Sequence, residues 1–230
     1  MEKRLSQATL DFISDLQQNN ERDWFQKNKG RYEEAKQDYM QFVDTLLKGV
    51  AGFDEVAQNV TAKDTMYRIY RDVRFSNDKR PYKDHFCSFV AEGGKKSVNP
   101  GYYLYINPNN NSSINCGLWM PPSPALKAVR QELDYNLEQF ESIINNPEFK
   151  KYYTQVSGET LKTNPKGYDS ENPAIKYLRH KTWNASHPLP DKLLTSDALY
   201  DTCLGAIKAA KPFVDFFLHP MLELEAPKEV

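Results

Sequence analysis

Between Arg68 and Asp84, six basic residues (Arg68, Arg71, Arg74, Lys79, Arg80 and Lys83) stand against three carboxylates (Asp72, Asp78 and Asp84), and His85 comes directly after them. Guanidinium groups stay charged at any physiological pH and present a planar fork of donors, so they suit phosphate and carboxylate oxyanions. On an extended strand, Arg68, Tyr70, Asp72 and Arg74 share one face. Ile69, Val73 and Phe75 share the other with Arg71. At least two guanidinium groups then converge, enough to hold one oxyanion. Lys83 and His85 close the run. Tyr103, Tyr105 and Trp119, on the same face of a sheet, would wall such a site with aromatic rings and suit it to a phosphorylated or nucleotide-like ligand.

The same residues allow a purely structural reading, in which Asp72, Asp78 and Asp84 pair with the cations and the arginines stack on tyrosines. A catalytic version makes His85 a general acid or base, oriented by Asp84 or Asp72, with arginines stabilising developing negative charge. No GxSxG nucleophile motif accompanies it. His85, His180, His187 and His219 lack HxH or HExxH spacing and the cysteines lie far apart, so no metal is expected. Phosphate loops and dinucleotide fingerprints are missing, and no cofactor is called for. A second basic group (Lys162, Lys166, Arg179, His180 and Lys181, beside Tyr168 and Trp183) reads as solvated loop and helix charge or as a lid over the sheet.

Composition limits the partners. The chain has 230 residues, a formal net charge of −1 and 13% aromatic residues. It should fold, and it carries no global positive field to draw it onto nucleic acid or an anionic membrane. Any anion site must be local, and nucleic acid stays open as a partner. Cys87, Cys116 and Cys203 are odd in number and contain no CxxC pair, the pattern of reduced thiols in a cytoplasmic protein. The amphipathic start lacks the apolar run of a signal peptide, and no stretch reaches the roughly 20 apolar residues of a spanning helix.

Hydrophobic periodicity outlines the scaffold that holds these residues. Leu5, Phe12, Ile13 and Leu16, with Ala8 and Thr9 filling the same stripe, recur at helical spacing behind Ser6, an N-cap residue. A second helix runs from about Asn20 to Gly52 on the stripe Trp24, Phe25, Tyr32, Ala35, Tyr39, Phe42, Val43, Leu46, Leu47 and Val50, with Gly30 as its weak point. From residue 65 to 120 the period falls to two, giving an antiparallel meander of about four strands: Thr65 to Phe75, Phe86 to Ala91, Tyr102 to Ile106 and Ile114 to Met120. Ser123 and Pro124 start a third long helix, on Leu126, Val129, Leu133, Leu137, Phe140 and Ile144. Residues 149 to 192 mix short helical patterns with loop chemistry. A last helix spans about Ser196 to Leu218 on Leu199, Cys203, Ile207, Phe213, Phe216 and Phe217, with Pro212 expected to kink or split it. The expected class is α+β, one domain over residues 1–230, its antiparallel sheet packed against long helices from the N- and C-terminal parts.

The run Tyr67-Arg68-Ile69-Tyr70-Arg71-Asp72-Val73-Arg74-Phe75-Ser76-Asn77-Asp78-Lys79-Arg80-Pro81-Tyr82-Lys83-Asp84-His85-Phe86 resembles the signature of a family known as domain of unknown function 2461. Asn20-Glu21-Arg22-Asp23-Trp24-Phe25, Pro100-Gly101-Tyr102-Tyr103-Leu104, Gly117-Leu118-Trp119-Met120-Pro121 and Pro165-Lys166-Gly167-Tyr168-Asp169 resemble its other blocks, in the same order. Tyr67 stands where phenylalanine is expected. The resemblance implies one cytosolic α+β domain and brings no chemical role to any residue. The residues themselves support two functions. One is a domain that binds, and acts on, a phosphate- or carboxylate-bearing small molecule through Arg68, Tyr70, Arg71, Arg74, Lys83, His85, Tyr103 and Trp119. The other is a non-catalytic interaction module contacting nucleic acid.

Overall fold

The computed structural model describes residues 2–225. Among them are ten α-helices and five strands. The strands are β1 (Phe86–Val90), β2 (Gly101–Ile106), β3 (Ser112–Leu118), β4 (Val156–Ser157) and β5 (Trp183–Leu189). They form one antiparallel sheet in the order β1-β2-β3-β5-β4, so the class is α+β. No described helix is long and apolar enough to cross a membrane.

The chain divides into two compact units. Of the described residues, the first takes those up to Lys95, with Tyr103–Ile114 and Pro188–Gly205; the second takes Lys96–Tyr102, Asn115–His187 and 206–225.

In the first unit, α1 (Gln7–Gln18) begins at Ser6, whose hydroxyl accepts the Thr9 amide as an N-cap. Asp38 fixes this corner, its carboxylate accepting from the Ser6 amide and from the Ser6 and Thr9 hydroxyls. The expected second helix is two, α2 (Arg22–Lys27) and α3 (Lys29–Val50), broken at Asn28 rather than at Gly30. The predicted stripe is buried along both except at Trp24, which is half-buried, and in α1 Ala8 is exposed. Phe12, Phe25, Tyr32 and Tyr39 meet Phe86 of β1 in an aromatic core, with Tyr39 and Phe86 centroids 5.4 Å apart.

The expected strand from Thr65 to Phe75 does not form. Its start belongs to a single helical turn, α4 (Ala62–Thr65). Beyond that turn the chain runs as an irregular ribbon joined by isolated bridges at Met66↔Ser88 and Tyr70↔Tyr82. The physical reason lies in its polar residues. Asp72 and Asp78 accept the backbone N–H groups of Arg74 and Arg80 and so bend the chain into side-chain-capped turns, while Pro81 has no N–H to offer a ladder.

In the second unit, the third long helix is also two, α5 (Ser123–Tyr135) and α6 (Leu137–Asn145), divided at Asn136. After α7 (Pro147–Tyr152), the stretch of mixed patterns supplies β4, α8 (Ile175–Leu178) and β5, so the sheet extends well past residue 120. α9 (Asp191–Leu194), which belongs to the first unit, leads to α10 (Ala198–Glu225); that helix passes into the second unit at Ala206 and continues unsplit through Pro212 and Pro220. Phe140, Phe149, Trp183, Phe213 and Phe217 are among the buried aromatics of this unit. Gly117 in β3 allows close approach to β5: a β-carbon there would sit 1.9 Å from the Trp183 carbonyl oxygen.

Candidate functional site

The ribbon from Arg68 to Asp84 is anchored at its root by side-chain amides. Asn20 donates to the Tyr82 carbonyl (3.0 Å) and accepts the Tyr82 amide (3.1 Å), imitating a β-bridge at the start of α2. Tyr82 itself is buried and stacks on Phe25 with centroids 4.0 Å apart. Gln17, at the end of α1, bonds the Asp84 carbonyl and Asn107. These contacts fix the backbone on either side of Lys83.

Along the ribbon the carboxylates are matched to the arginines. Asp72 holds Arg74 through two bonds, Nε at 3.0 Å and Nη2 at 2.7 Å. Asp78 receives Arg71 (2.6 Å) and Arg80 (2.8 Å) on the same oxygen. Arg80 reaches on to Asp84 Oδ2 at 2.9 Å, and Asp84 Oδ1 lies 3.1 Å from His85 Nδ1. The result is an alternating chain, Arg71, Asp78, Arg80, Asp84, His85. Hydrogen bonds from Arg80, its side chain before its backbone, and then from Arg71 hold the Asp78 carboxyl far below the ordinary carboxylate range. Burial pushes the Asp84 carboxyl up, but its bonds, that from His85 foremost, and the Arg80 charge outweigh burial and leave it lowered.

Lys83 and Arg68 differ from Arg71, Arg74 and Arg80: among the described residues neither forms an ion pair with a carboxylate. The Lys83 ammonium sits 4.8 Å from the Tyr67 ring centroid, a cation held by an aromatic face. Tyr67 heads a row of rings with Tyr103 and Tyr105, successive centroids 6.3 Å apart. His85 packs on Tyr105 at 4.6 Å. The buried Cys87 thiol is hydrogen-bonded to Tyr103. Burial, then the neighbouring thiol, drives the Tyr103 hydroxyl far above its usual range.

Burial lowers the pKa of His85, with Lys83 and Arg71 adding to that effect and Asp84 opposing it. The ring is therefore neutral at pH 7, and Asp84, being ionised, only accepts. Nδ1 carries the proton, and Nε2 is left as the basic nitrogen.

The structure thus gathers Lys83, His85 and Tyr103 into one cluster, with Tyr67, Tyr105 and Cys87 added. The sequence offers Tyr105 as a wall residue beside Tyr103, but Cys87 only as one of three reduced thiols. Arg71 and Arg74 are engaged by Asp78 and Asp72. Arg68 is exposed. Tyr70 is part exposed, against Phe25 and Tyr82. Trp119 belongs to the second unit, just beyond β3, and is 75% exposed. Phe75, expected on the core-facing side of a strand, is instead 96% exposed at a turn closed by Ser76 N–H to Val73 O. In the second basic group, Arg179 is bound to Asn164, Lys181 to Glu159 and His180 to the Thr182 carbonyl, while Trp183 lies in the core.

No curated protein and no solved structure matches this chain. A family model does, over residues 8–216, and includes the whole ribbon and the Lys83–His85 cluster. The chain belongs to that family, the conserved hypothetical proteins designated DUF2461.

Proposed function

We propose that this protein binds a small phosphate- or carboxylate-bearing molecule at Lys83 and His85, in the cytoplasm, with Tyr67, Tyr103 and Tyr105 as the aromatic wall. The observation that carries the reading is the contrast within one segment: the guanidinium groups of Arg71, Arg74 and Arg80 are matched to carboxylates, whereas the Lys83 ammonium lies over the Tyr67 ring and forms no ion pair with a carboxylate among the described residues. A partly desolvated cation without a counter-ion favours an anion from outside. His85 supplies the chemistry. Its Nε2 can accept a hydrogen bond from a protonated ligand oxygen, or take a proton from a hydroxyl or water beside the bound anion. The three buried, free thiols support a reducing compartment.

The test is thermal unfolding with inorganic phosphate, nucleotides, sugar phosphates and dicarboxylates. A selective ligand at about 100 times its dissociation constant stabilises the protein by roughly 2.7 kcal/mol. Lys83→Ala should abolish that shift, and Arg74→Ala should leave it largely intact. If no compound in the panel shifts the wild-type transition, or if the shift survives Lys83→Ala, the site is not where we put it.

A further inference from the structure

We propose that the ribbon from Arg68 to Asp84 docks single-stranded nucleic acid, with Phe75 as the ring on which a base stacks. Phe75 is 96% exposed, at odds with the ordinary fate of a phenylalanine. Its loop is nonetheless firmly built. Asp72 fixes both the amide and the side chain of Arg74, Asp78 does the same for Arg80, and the Lys79 ammonium bonds the Val73 carbonyl at 3.0 Å. An apolar ring held out by a preorganised loop loses little freedom when something lands on it, the condition for an effective binding anchor.

The surroundings of the ring select the partner. The Arg74 guanidinium lies 5.8 Å from the Phe75 centroid, and the ring's remaining surface is open. Besides Phe75, the exposed residues from 71 to 80 are Asp72, Arg74, Asn77, Lys79 and Arg80, none of them apolar, and the next exposed apolar ring, Tyr70, packs against Phe25 and Tyr82. A protein interface core would need contiguous apolar surface around the ring, and insertion into a membrane would desolvate Asp72 and Arg74. One ring among cations fits a strand instead: each base offers a flat face, and each phosphate a charge. Six cations against three carboxylates leave the ribbon locally positive although the whole chain carries −1. Binding should therefore be modest, salt-sensitive and tolerant of sequence, and should prefer unpaired bases.

The experiment is fluorescence anisotropy of labelled oligothymidylate and oligouridylate about 20 nucleotides long, titrated with the full-length protein over a range of salt concentrations. The expected result is affinity that falls as salt rises and is weakened roughly tenfold or more by Phe75→Ala, with Phe75→Trp retaining it. Lys79→Ala should flatten the salt dependence. Because Phe75 is so exposed, its alanine variant should melt with wild type, which removes misfolding as an explanation. Absence of binding at low salt, equal affinity in Phe75→Ala, or preference for duplex or for anionic vesicles would overturn the proposal. The proposal does not rest on the Lys83–His85 site, since Phe75→Ala should leave any thermal shift by inorganic phosphate unchanged.

Discussion

Asp84 Oδ1 lies 3.1 Å from His85 Nδ1, so a carboxylate already held by Arg80 also sets the tautomer of the neighbouring imidazole. Burial, the largest influence on this ring, lowers its pKa from the ordinary 6.5. That direction fixes the pH dependence. The folded protein keeps the ring neutral while the unfolded chain protonates below about pH 6.5, so this stability is present above that pH and is lost as pH falls through the depressed value. His180, lowered chiefly by burial, acts in the same direction. Denaturant unfolding from about pH 8 to about pH 5 should show stability declining in wild type and declining less in His85→Gln. Equal slopes would mean that the ring is not desolvated in the folded protein.

The ribbon offers a prediction about order rather than global stability. Asp78 accepts from Arg71, from the Arg80 side chain and from the Arg80 amide. Asp78→Ala removes all three. Hydrogen exchange at the Arg80 amide and proteolysis between residues 73 and 81 should accelerate, while the main unfolding transition stays close to wild type. Asp78→Asn keeps an oxygen for the Arg80 amide but loses the charge, and should fall between the two.

How far this architecture is legible in the sequence depends on the kind of signal each part leaves there. The stripes of α1, α3 and α10 survive because burial repeats at helical spacing over many residues. The breaks at Asn28 and Asn136 leave no comparable mark, since one asparagine costs a helix interior only a fraction of a kcal/mol and so looks the same in sequence whether it sits within a helix or at its cap. The segment Thr65 to Phe75 misleads because its alternation of apolar and polar residues has the period of a strand. Asp72 and Asp78 then take the backbone amides that a ladder would need. β4 is two residues long, too short to carry a period. In the site, the richness in cations is legible and the pairing is not. Whether Asp78 meets Arg71, seven residues earlier, is decided by the turn between them.

Two glycines should respond oppositely to alanine. Gly117 has φ +133°, and its new β-carbon would lie 1.9 Å from the backbone oxygen of Trp183, so β3 and β5 must shift apart or the strand must distort. A loss of roughly 3 kcal/mol or more in denaturant unfolding is expected. Gly30 lies in the first turn of α3 with nothing within 4 Å of the added carbon. Gly30→Ala should stabilise by about 0.5 kcal/mol, chiefly by restricting the unfolded chain. A cost at Gly30 comparable to that at Gly117 would contradict the helical start placed there.

The three thiols separate by their neighbours. All are buried, and burial pushes Cys203 up to about 12 and raises Cys116 and Cys87 as well. Thiolate is the reactive form, so the native protein should resist Ellman's reagent at about pH 8 until denaturant exposes the cysteines. Cys87 differs in having the Tyr103 hydroxyl and the Lys83 ammonium beside it, both of which favour its thiolate. It should be the first to react, and Lys83→Ala should slow it without altering Cys203. Mass spectrometry of partly labelled protein gives the order. If Cys203 reacts first, or if Lys83→Ala leaves the Cys87 rate unchanged, then the Lys83 charge does not act on the thiol beside Tyr103, and the electrostatic basis of the proposed anion site fails with it.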